Sequence, residues 1–190
     1  MRELSDRENQ RDIIVSQCLE CLAEKGLDLV STRDFSDATG MTASSLYYWF
    51  KNKDEIVVEA VKYGLKITVS KLLEYASSNI LDITNNYEKF FVFLSKHKKT
   101  LRVVFQASCS PQYRNRINEY VNDISSLYCA ATEKISKNIN VSFEQLRPVV
   151  DLYVSTVVDY VLWDDEEKFK REMLVIPWIV SKLEHNNCVK

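Results

Sequence analysis

The sequence predicts a folded protein of the all-α class, and three observations support that prediction. The 190-residue chain contains only three Gly and three Pro, whereas folds rich in strands need frequent turn residues. Its composition, 46% hydrophobic and 27% charged, is typical of a folded globular protein. Its apolar residues also recur at helical spacing, so that one helical face carries Val15, Cys18, Leu19 and Leu22.

Capping signals and apolar spacing place the individual helices. Ser5 with Glu8, and Ser142 with Gln145, match the capping box that opens a helix, Asn52 with Glu55 three residues on caps another, and Gly26 is placed to end one. A connection is expected over residues 77–86. Together these signals predict about nine helices, over approximate residues 6–25, 31–40, 43–50, 53–77, 87–95, 96–108, 110–138, 142–163 and 166–185.

A tight turn separates the second and third predicted helices. The second begins at Ser31 or Thr32, turns Phe35 and Ala38 inward and ends at Gly40. Two residues later a new capping residue starts the third helix. This spacing is typical of a helix-turn-helix, in which the second helix braces the third and the start of the third enters the major groove of DNA.

The third helix contains an unbroken row of four aromatic residues, Tyr47, Tyr48, Trp49 and Phe50. Successive helical residues differ by about 100° in direction, so these rings cannot all face one core. Leu46 and Phe50, four residues apart, are expected to pack the third helix against the rest of its domain. The exposed rings, which lie beside Lys51 and Lys53, then indicate a binding surface.

The predicted DNA contacts fall into three groups. Small residues at the start of the third helix allow that helix to approach the groove closely. They are Thr42, Ala43, Ser44 and Ser45. The polar aromatic rings and the lysines after them are expected to contact phosphates and base edges. These residues are Tyr47, Tyr48, Trp49, Lys51 and Lys53. The start of the second helix, Thr32 and Arg33, is expected to contact the DNA backbone.

The negative net charge of the chain implies that any attraction to DNA comes from a short local segment. The net charge is −2, and residues 1–60 hold 7 Lys and Arg against 12 Asp and Glu, a net of −5. Residues 61–190 carry a net of +3. Residues 38–53, however, contain two lysines and no acidic residue. Affinity should therefore depend on a few local contacts, and non-specific binding, which is mainly electrostatic, should be weak.

The stretch TRDFSDATGMTASSLYYWFKNKDEIVVEAV, residues 32–61, resembles the TetR family of bacterial transcriptional regulators. Met41 and Thr42 stand for the usual Val and Ser, and Phe35 replaces the usual aliphatic residue, changes that affect packing more than DNA contact. The positions that match the family's motif are Thr32, Gly40, Ser45, Leu46, Tyr47, Phe50, Asn52, Lys53 and Ile56.

The resemblance implies an architecture and a mechanism. It implies a helix-turn-helix DNA-binding domain over residues 1–52 and a larger helical effector-binding and dimerisation domain over residues 53–190. Proteins of this family dimerise through their last two long helices, bind palindromic operators, and mostly act as repressors that a small ligand releases. We therefore expect a homodimer, a double-stranded DNA operator and a small apolar or aromatic ligand.

Candidate residues for dimerisation and ligand binding come from the apolar and aromatic content of the larger domain. The predicted helix over residues 142–163 is apolar on more than one face, which is typical of a helix packed on two sides. The expected dimerisation residues are Val150, Val154, Val157, Val161 and Trp178. An apolar pocket between helices is a common ligand site, and its candidate residues are Phe105, Tyr120, Tyr128 and Tyr153.

Five cysteines, an odd number, and an N-terminus without an apolar signal region favour free thiols in the cytoplasm. Cys18 and Cys21 form a C-x-x-C pair, but structural zinc usually has four ligands and no second pair lies nearby. Buried apolar thiols are the favoured interpretation, and we expect no metal or cofactor. No run of 18 uncharged apolar residues predicts a membrane span.

Two other classes of protein are consistent with parts of the sequence. A helical protein-interaction module would keep the helix-turn-helix motif as a fold element and use its exposed aromatic residues for another protein. An enzyme would need a nucleophile pair such as Cys109 with His97. Because Gly is absent after residue 64, no glycine-containing oxyanion loop is available there, and we expect no enzymatic activity.

Overall fold

A computed structural model describes residues 2–79 and 83–188 of the chain. Within these residues the secondary structure is α-helical, with turns and no strand, so the predicted all-α class is confirmed. The helices are α1 (Arg2–Lys25), α2 (Thr32–Thr39), α3 (Ala43–Trp49), α4 (Lys53–Asn79), α5 (Ile83–Cys109), α6 (Arg114–Ile139), α7 (Phe143–Trp163) and α8 (Glu166–Cys188).

Several helix ends differ from the prediction, each for a local reason. Helix α1 already begins at Arg2, so Ser5 lies inside the helix and does not cap it. Residues 110–113 form a turn, in which the Arg114 N–H donates to the Ser110 carbonyl at 2.9 Å, and α6 starts only after it. Ala38, expected to face inward, is exposed.

Helix α5 is one continuous helix where the sequence predicted a connection followed by two helices. The expected connection over residues 77–86 is helical up to Asn79 and again from Ile83, and residues 80–82 lie outside the described part. The basic run after Ser95 does not interrupt α5, because Lys and Arg are good helix formers.

The chain divides into two compact units. Unit 1 comprises residues 1–69 and 99–122, and unit 2 comprises residues 70–98 and 123–190. The predicted boundary at residue 52 marks the end of the helix-turn-helix segment, whereas unit 1 extends beyond it. The functional division at that residue stays a prediction.

Unit 1 is packed around helices α1 to α4 and the adjoining part of α5. Its core contains Leu22, Phe35, Leu46, Phe50 and Val57, all at most 2% exposed. Full burial of a side chain of this size contributes about 1.5–3 kcal/mol. These contacts set the position of the short helices α2 and α3, which are too short to be stable alone.

Unit 2 contains an antiparallel helical hairpin of α7 and α8. The capping box predicted at the start of α7 is present, since the Gln145 N–H donates to the Ser142 hydroxyl at 3.3 Å. The core of unit 2 includes stacked rings, with Phe90 5.6 Å from Tyr153 and 6.2 Å from Phe169 between ring centroids. Offset ring pairs of this kind add to the energy of burial.

The search for membrane-spanning segments was negative across the described helices, none of which combines enough length with enough apolar character.

Gly64, in α4, lies where α1 and α5 come close to it. A Cβ atom at this position would lie 2.8 Å from Val104 Cγ2 and 3.1 Å from Leu19 Cδ2. The first distance is shorter than real Cβ contacts, and the Val104 side chain is branched and fully buried. Glycine is therefore required here by close helix packing.

We predict that Gly64→Ala lowers the free energy of unfolding. Overpacking a core usually costs about 1–3 kcal/mol, while alanine recovers up to about 1 kcal/mol of helix propensity, so a net loss of about 1–2 kcal/mol is expected. Urea denaturation monitored by circular dichroism measures it. In a Val104→Ala background the same substitution should cost less. Equal or higher stability of the single variant would contradict the close packing.

Candidate nucleic-acid interface

The start and the end of α2 are fixed by local hydrogen bonds. The Ser31 hydroxyl accepts from the Asp34 N–H at 3.3 Å, and the Asp34 carboxylate accepts from the Ser31 N–H at 2.8 Å. This capping box identifies Ser31, not Thr32, as the cap. Gly40 follows α2 with a φ of 65°, a left-handed conformation that glycine adopts without steric cost. A sharp turn toward α3 results.

Helix α3 is capped at its start and buried at two positions. The Thr42 hydroxyl accepts from the Ser45 N–H at 3.2 Å, as predicted for an N-cap. Leu46 is fully buried and Phe50, which ends the helix, is 2% exposed. The two side chains hold α3 to unit 1 through one face, which confirms the expected anchoring.

The remaining positions of α3 are open to solvent. Tyr47 is 45% exposed and Tyr48 is 70% exposed, whereas Trp49 is half-buried. Exposed positions among the predicted contacts are Arg33, Thr42, Ala43, Ser44, Ser45, Tyr47, Tyr48 and Lys51. These side chains are accessible to a ligand, and their contact with DNA stays a prediction.

Tyr47 and Thr32 connect α3 to the start of α2. Their hydroxyl oxygens lie 3.0 Å apart, close enough for one hydroxyl to donate to the other. Whichever hydroxyl accepts this bond keeps its own hydrogen for a third oxygen. The pair is therefore suited to donate to a phosphate oxygen while each hydroxyl fixes the direction of the other.

Tyr48 and Trp49 share a cation from α1. Their ring centroids lie 5.7 Å apart with the planes nearly perpendicular. The Arg7 guanidinium is 5.7 Å from the Tyr48 centroid and 5.4 Å from the Trp49 centroid, within cation–π range. This cluster borders a cavity of about 250 Å³ that Glu8 and Arg11 also line. Trp49 is thus partly engaged by the protein itself.

Arg11 supports the end of α3 from the same helix. Its guanidinium lies 5.4 Å from the Phe50 ring centroid and forms an ion pair of 2.9 Å with Glu59 of α4. Sequence reasoning missed Arg7 and Arg11, although their spacing of four residues places them on one face of α1. Nothing local in the sequence connects that face to α3.

The predicted phosphate-binding lysines differ in their surroundings. Lys51 is exposed, and its side chain extends from the turn before α4. The Lys53 ammonium donates to the Val30 carbonyl at 2.9 Å, which ties the connection before α2 to the start of α4. An ammonium has three donors, so Lys53 retains donors for a phosphate. Asn52 caps α4 as predicted, accepting from the Glu55 N–H at 2.9 Å.

Several acidic side chains within residues 1–60 are paired inside the protein. Asp34 accepts from Ser31 and lies 3.4 Å from the Lys25 ammonium. Ion pairs with lysines beyond residue 60 occupy two more acids, since Lys62 pairs with Glu59 at 3.4 Å and Lys99 pairs with Glu24 at 2.8 Å. The net of −5 counted over residues 1–60 therefore overstates the negative charge of this surface.

The C-x-x-C pair of α1 is buried. Cys18 is fully buried and Cys21 is 9% exposed. Burial raises the pKa of the Cys18 thiol to about 12 and also raises the pKa of Cys21. Both thiols are protonated at neutral pH, whereas metal binding and thiol exchange need the thiolate. Among the described residues, no three His, Cys, Asp or Glu side chains are grouped for metal binding.

The nucleophile pair considered from sequence is divided between the two units. Cys109 belongs to unit 1 and His97 to unit 2. His97 is half-buried, and its ring centroid lies 4.8 Å from that of Phe93. Burial lowers the pKa of His97, with a smaller contribution from Lys96.

The candidate ligand residues are divided between the two units. Phe105 and Tyr120 lie in unit 1 and are half-buried. Tyr128 and Tyr153 lie in unit 2, where the Tyr128 hydroxyl donates to Asp151 and Tyr153 is 2% exposed. Burial raises the pKa of Tyr128, and the hydrogen bond to Asp151 adds to that effect.

The candidate dimerisation residues separate into core and surface positions. Val150, Val157 and Val161 are at most 1% exposed within unit 2, so their side chains are inaccessible to a second subunit. Val154 is half-buried and Trp178 is 61% exposed. Other exposed apolar residues on these two helices, which the sequence did not single out, are Leu152, Leu174 and Val175.

Comparison with known proteins places this geometry in a family. Residues 14–60 match the family model of bacterial regulatory proteins, tetR family. The chain is 25% identical over 118 residues to the biofilm operon icaADBC HTH-type negative transcriptional regulator IcaR of Staphylococcus epidermidis, an alignment that spans 61% of this chain and 63% of that protein. It is 26% identical over 101 residues to the HTH-type transcriptional repressor KstR2 of Mycolicibacterium smegmatis, spanning 52% of this chain and 49% of that one.

The fold as a whole also has a solved relative. The crystal structure of a putative TetR-family transcriptional regulator from Mesorhizobium loti superposes with a TM-score of 0.65 at 13% identity. The superposition covers 93% of this chain and 96% of the other. At this identity the likeness shows the fold alone, whereas the two sequence relatives are matched over less than two thirds of their length.

A capped three-helix segment with an exposed third helix, matched by a family model and by two regulators, is the arrangement expected of a helix-turn-helix DNA-binding domain. Residues 14–60 of the chain are thus similar to the tetR family of bacterial regulatory proteins, and the two regulators extend that similarity beyond this segment. The resemblance drawn from residues 32–61 is therefore confirmed.

We predict that the stabilising effect of Asp34 depends on pH. Hydrogen bonds from the Ser31 hydroxyl and N–H lower the pKa of the Asp34 carboxyl. Its contribution should be fully present above the unfolded-state pKa of about 3.9 and should be lost as pH falls through the lower folded-state pKa. Asp34→Asn should therefore be less stable than the parent at pH 7, with the difference vanishing in acid.

Urea denaturation at a series of pH values measures this difference. Asp37→Asn, which changes an exposed residue of the same helix, is the matched control and should show a smaller difference at pH 7. A gap between parent and Asp34→Asn that stays constant from pH 7 into acid would contradict the role of the charged carboxylate.

Proposed function

We propose that this protein is a homodimeric transcriptional repressor that binds a palindromic DNA operator and that a small-molecule ligand releases. The observation that carries the DNA-binding part is α3, which is anchored by Leu46 and Phe50 and leaves Ala43, Ser44, Ser45, Tyr47 and Tyr48 exposed. No acidic residue occurs in residues 38–53, so this segment itself contributes no negative charge against a phosphate. Since its target would be chromosomal DNA, the proposal places the protein in the cytoplasm.

The proposed contacts divide by chemistry. Small side chains at the start of α3 would allow this helix to enter the major groove. The Thr32–Tyr47 hydroxyl pair would donate a hydrogen bond to a phosphate. Tyr48 and the Arg7 cluster would lie beside the DNA backbone, with Lys51 and Lys53 adding charge. The full proposed set is Thr32, Arg33, Thr42, Ala43, Ser44, Ser45, Tyr47, Tyr48, Trp49, Lys51 and Lys53, with Arg7 added from the structure.

The repressor sense rests on the relatives. One is named as a negative transcriptional regulator and the other as a transcriptional repressor. Regulation rather than an enzymatic reaction is therefore the proposed activity. Residues 1–52 would bind DNA, and residues 53–190 would supply dimerisation and the effector site.

The proposed dimer uses exposed apolar residues of α7 and α8. Leu174 and Val175 are more than 40% exposed, Leu152 is 37% exposed and Trp178 is 61% exposed. Leu174 and Trp178 are four residues apart and share one face of α8, and exposed apolar side chains grouped in this way often mark an interaction site. A second copy of the chain is the proposed occupant, because a palindromic operator requires two related heads.

A cavity in unit 1 supports a ligand of small size. Tyr120 and Tyr63 line it together with side chains of α1 and α4, among them Arg11 and Lys66, and its volume is about 330 Å³. Cavities of this size hold small molecules. Phe105, Tyr128 and Tyr153 remain the other proposed ligand residues.

Selection of bound DNA from a pool of random duplexes, at near-physiological salt and followed by sequencing, tests the function directly. A palindrome is expected, with half-sites one helical turn or a multiple of it apart, about 34–36 Å per turn. A folded dimer that enriches no sequence would overturn the operator proposal and would favour a protein-interaction module.

We predict that Tyr47→Phe weakens operator binding at least about 100-fold, because a hydrogen bond to a charged group contributes about 1.5–3 kcal/mol and a dimer would lose two. Only the hydroxyl is removed, so the fold should be little changed. Fluorescence anisotropy with labelled operator measures the dissociation constant. Tyr63→Phe, a half-buried tyrosine of α4, is the control. Equal losses in both variants would argue against a specific phosphate contact by Tyr47.

We predict that Lys51→Ala changes the salt dependence of operator binding. Each lost phosphate contact lowers the slope of log K against log salt concentration by about 0.9, and a dimer would lose two, or about 1.8. The affinity is measured over a series of salt concentrations. Lys66→Ala, at an exposed lysine of α4, should leave the slope unchanged. An unaltered slope in Lys51→Ala would exclude that contact.

We predict that Trp178→Asp raises the dimer dissociation constant at least tenfold, about 1.4 kcal/mol, because a carboxylate would be buried without a partner. Sedimentation velocity over a range of protein concentrations measures it. Val92→Asp changes another exposed apolar residue of unit 2, on α5, and is the control. A dimer as tight as the parent would show that Trp178 lies outside the interface.

A further inference from the structure

A cavity of about 200 Å³ lies within unit 2, along the hairpin of α7 and α8, and the proposed function does not use it. We name it the hairpin cavity. The lining combines aromatic rings with charged side chains, chiefly Asp159, Tyr160, Trp163, Lys168, Phe169 and Glu172. Such a combination favours a ligand that has both an apolar surface and a charge.

Three aromatic rings line the hairpin cavity. Tyr160 and Phe169 are buried, with their centroids 4.7 Å apart and their planes inclined by 33°. Trp163, at the end of α7, is 74% exposed. A tryptophan left open to solvent beside two buried rings offers a large aromatic face to an incoming molecule.

The charged residues of the lining are negative in excess. Asp159, Asp165 and Glu172 carry three negative charges, against one positive charge on Lys168. The Lys168 ammonium pairs with Asp159 and lies 3.8 Å from Glu172. The hydrogen bond from Lys168 to Asp159 raises the pKa of the lysine, so it is charged and already included in this balance. The lining keeps a formal charge of −2.

The protein already places one of its own cations on a ring of this cavity. The Lys98 ammonium lies 4.2 Å from the centroid of the Tyr160 ring and pairs with Asp164, which follows α7. An ammonium within about 6 Å of a ring centroid is attracted by the negative face of the ring. Lys98 therefore shows that the environment of Tyr160 accommodates an ammonium group.

We propose that the hairpin cavity binds a small organic cation, a primary or quaternary ammonium compound. Aromatic faces with nearby carboxylates recognise such groups. The volume is below the usual range of about 300–1,000 Å³ for drug-sized ligands, which limits the ligand to a few heavy atoms. A bare metal ion fits less well, because the described residues hold no three-ligand metal group. Any effector role of this cation rests on the proposed function.

The probe for the test is choline, with 3,3-dimethylbutan-1-ol as its neutral isostere, in which carbon replaces the charged nitrogen. Saturation-transfer NMR on the full-length protein alone detects binding of either compound through its methyl signals. We expect saturable choline binding and at least tenfold weaker binding of the isostere at matched ionic strength. Equal binding of the two compounds, or no saturable binding of choline, would overturn the proposal.

Variants then locate the site. Trp163→Leu removes the exposed ring and should weaken choline binding at least tenfold, with little effect on folding because the side chain is mostly in solvent. Val92→Ala, at an exposed apolar residue of α5 in the same unit, should bind choline as the parent does. Loss in the Val92 variant with retention in the Trp163 variant would overturn the assignment.

A second variant tests the charge without touching a ring. Glu172→Gln keeps the shape of the side chain and its contact with the Thr156 hydroxyl, which donates to the carboxylate at 3.2 Å. It should weaken choline binding severalfold and leave the weak binding of the isostere unchanged. Unchanged choline affinity would overturn the electrostatic part. Because no DNA is present, failure here is distinguishable from failure of operator recognition.

Discussion

The functional surface depends on how α3 is held. This helix has seven residues and cannot be stable alone, so its position comes from the burial of Leu46 and Phe50 against unit 1. Because a helix turns about 100° per residue, burial of these two side chains directs Tyr47 and Tyr48 outward. The Thr42 cap fixes where α3 begins, and Arg11 covers the Phe50 ring at its end.

Electrostatics then determines what this surface can bind. Residues 1–60 are acidic by count, yet several of their carboxylates are used within the protein, in caps such as Asp34 and in ion pairs such as that of Glu59 with Arg11. Lys99, from beyond residue 60, pairs with Glu24. The exposed side chains of α3 itself are hydroxyls and rings, and Lys51 follows them, whereas Glu8 borders the rings from α1. Specific contacts can form there without a strong general attraction to DNA.

Helices α7 and α8 serve several purposes at once. Their facing sides form the core of unit 2, with Val157 and Phe169 among the buried residues. Apolar side chains on other faces, such as Leu174 and Trp178, remain exposed and suit a second subunit. Near the end of α7, rings and carboxylates enclose the hairpin cavity. A helix with several non-equivalent faces can carry this combination because neighbouring residues point in different directions.

The sequence by itself determined the helical class, the caps at Thr42, Asn52 and Ser142, and the family, because all of these depend on residues close together in the chain. Only the tertiary structure decided which apolar residues are buried: Val150, expected at a dimer surface, lies in the core, while Leu174 is exposed. It also brought Arg7 to Tyr48 and Trp49. Such contacts join residues some forty positions apart, and helical periodicity gives a residue's face but not what packs against it.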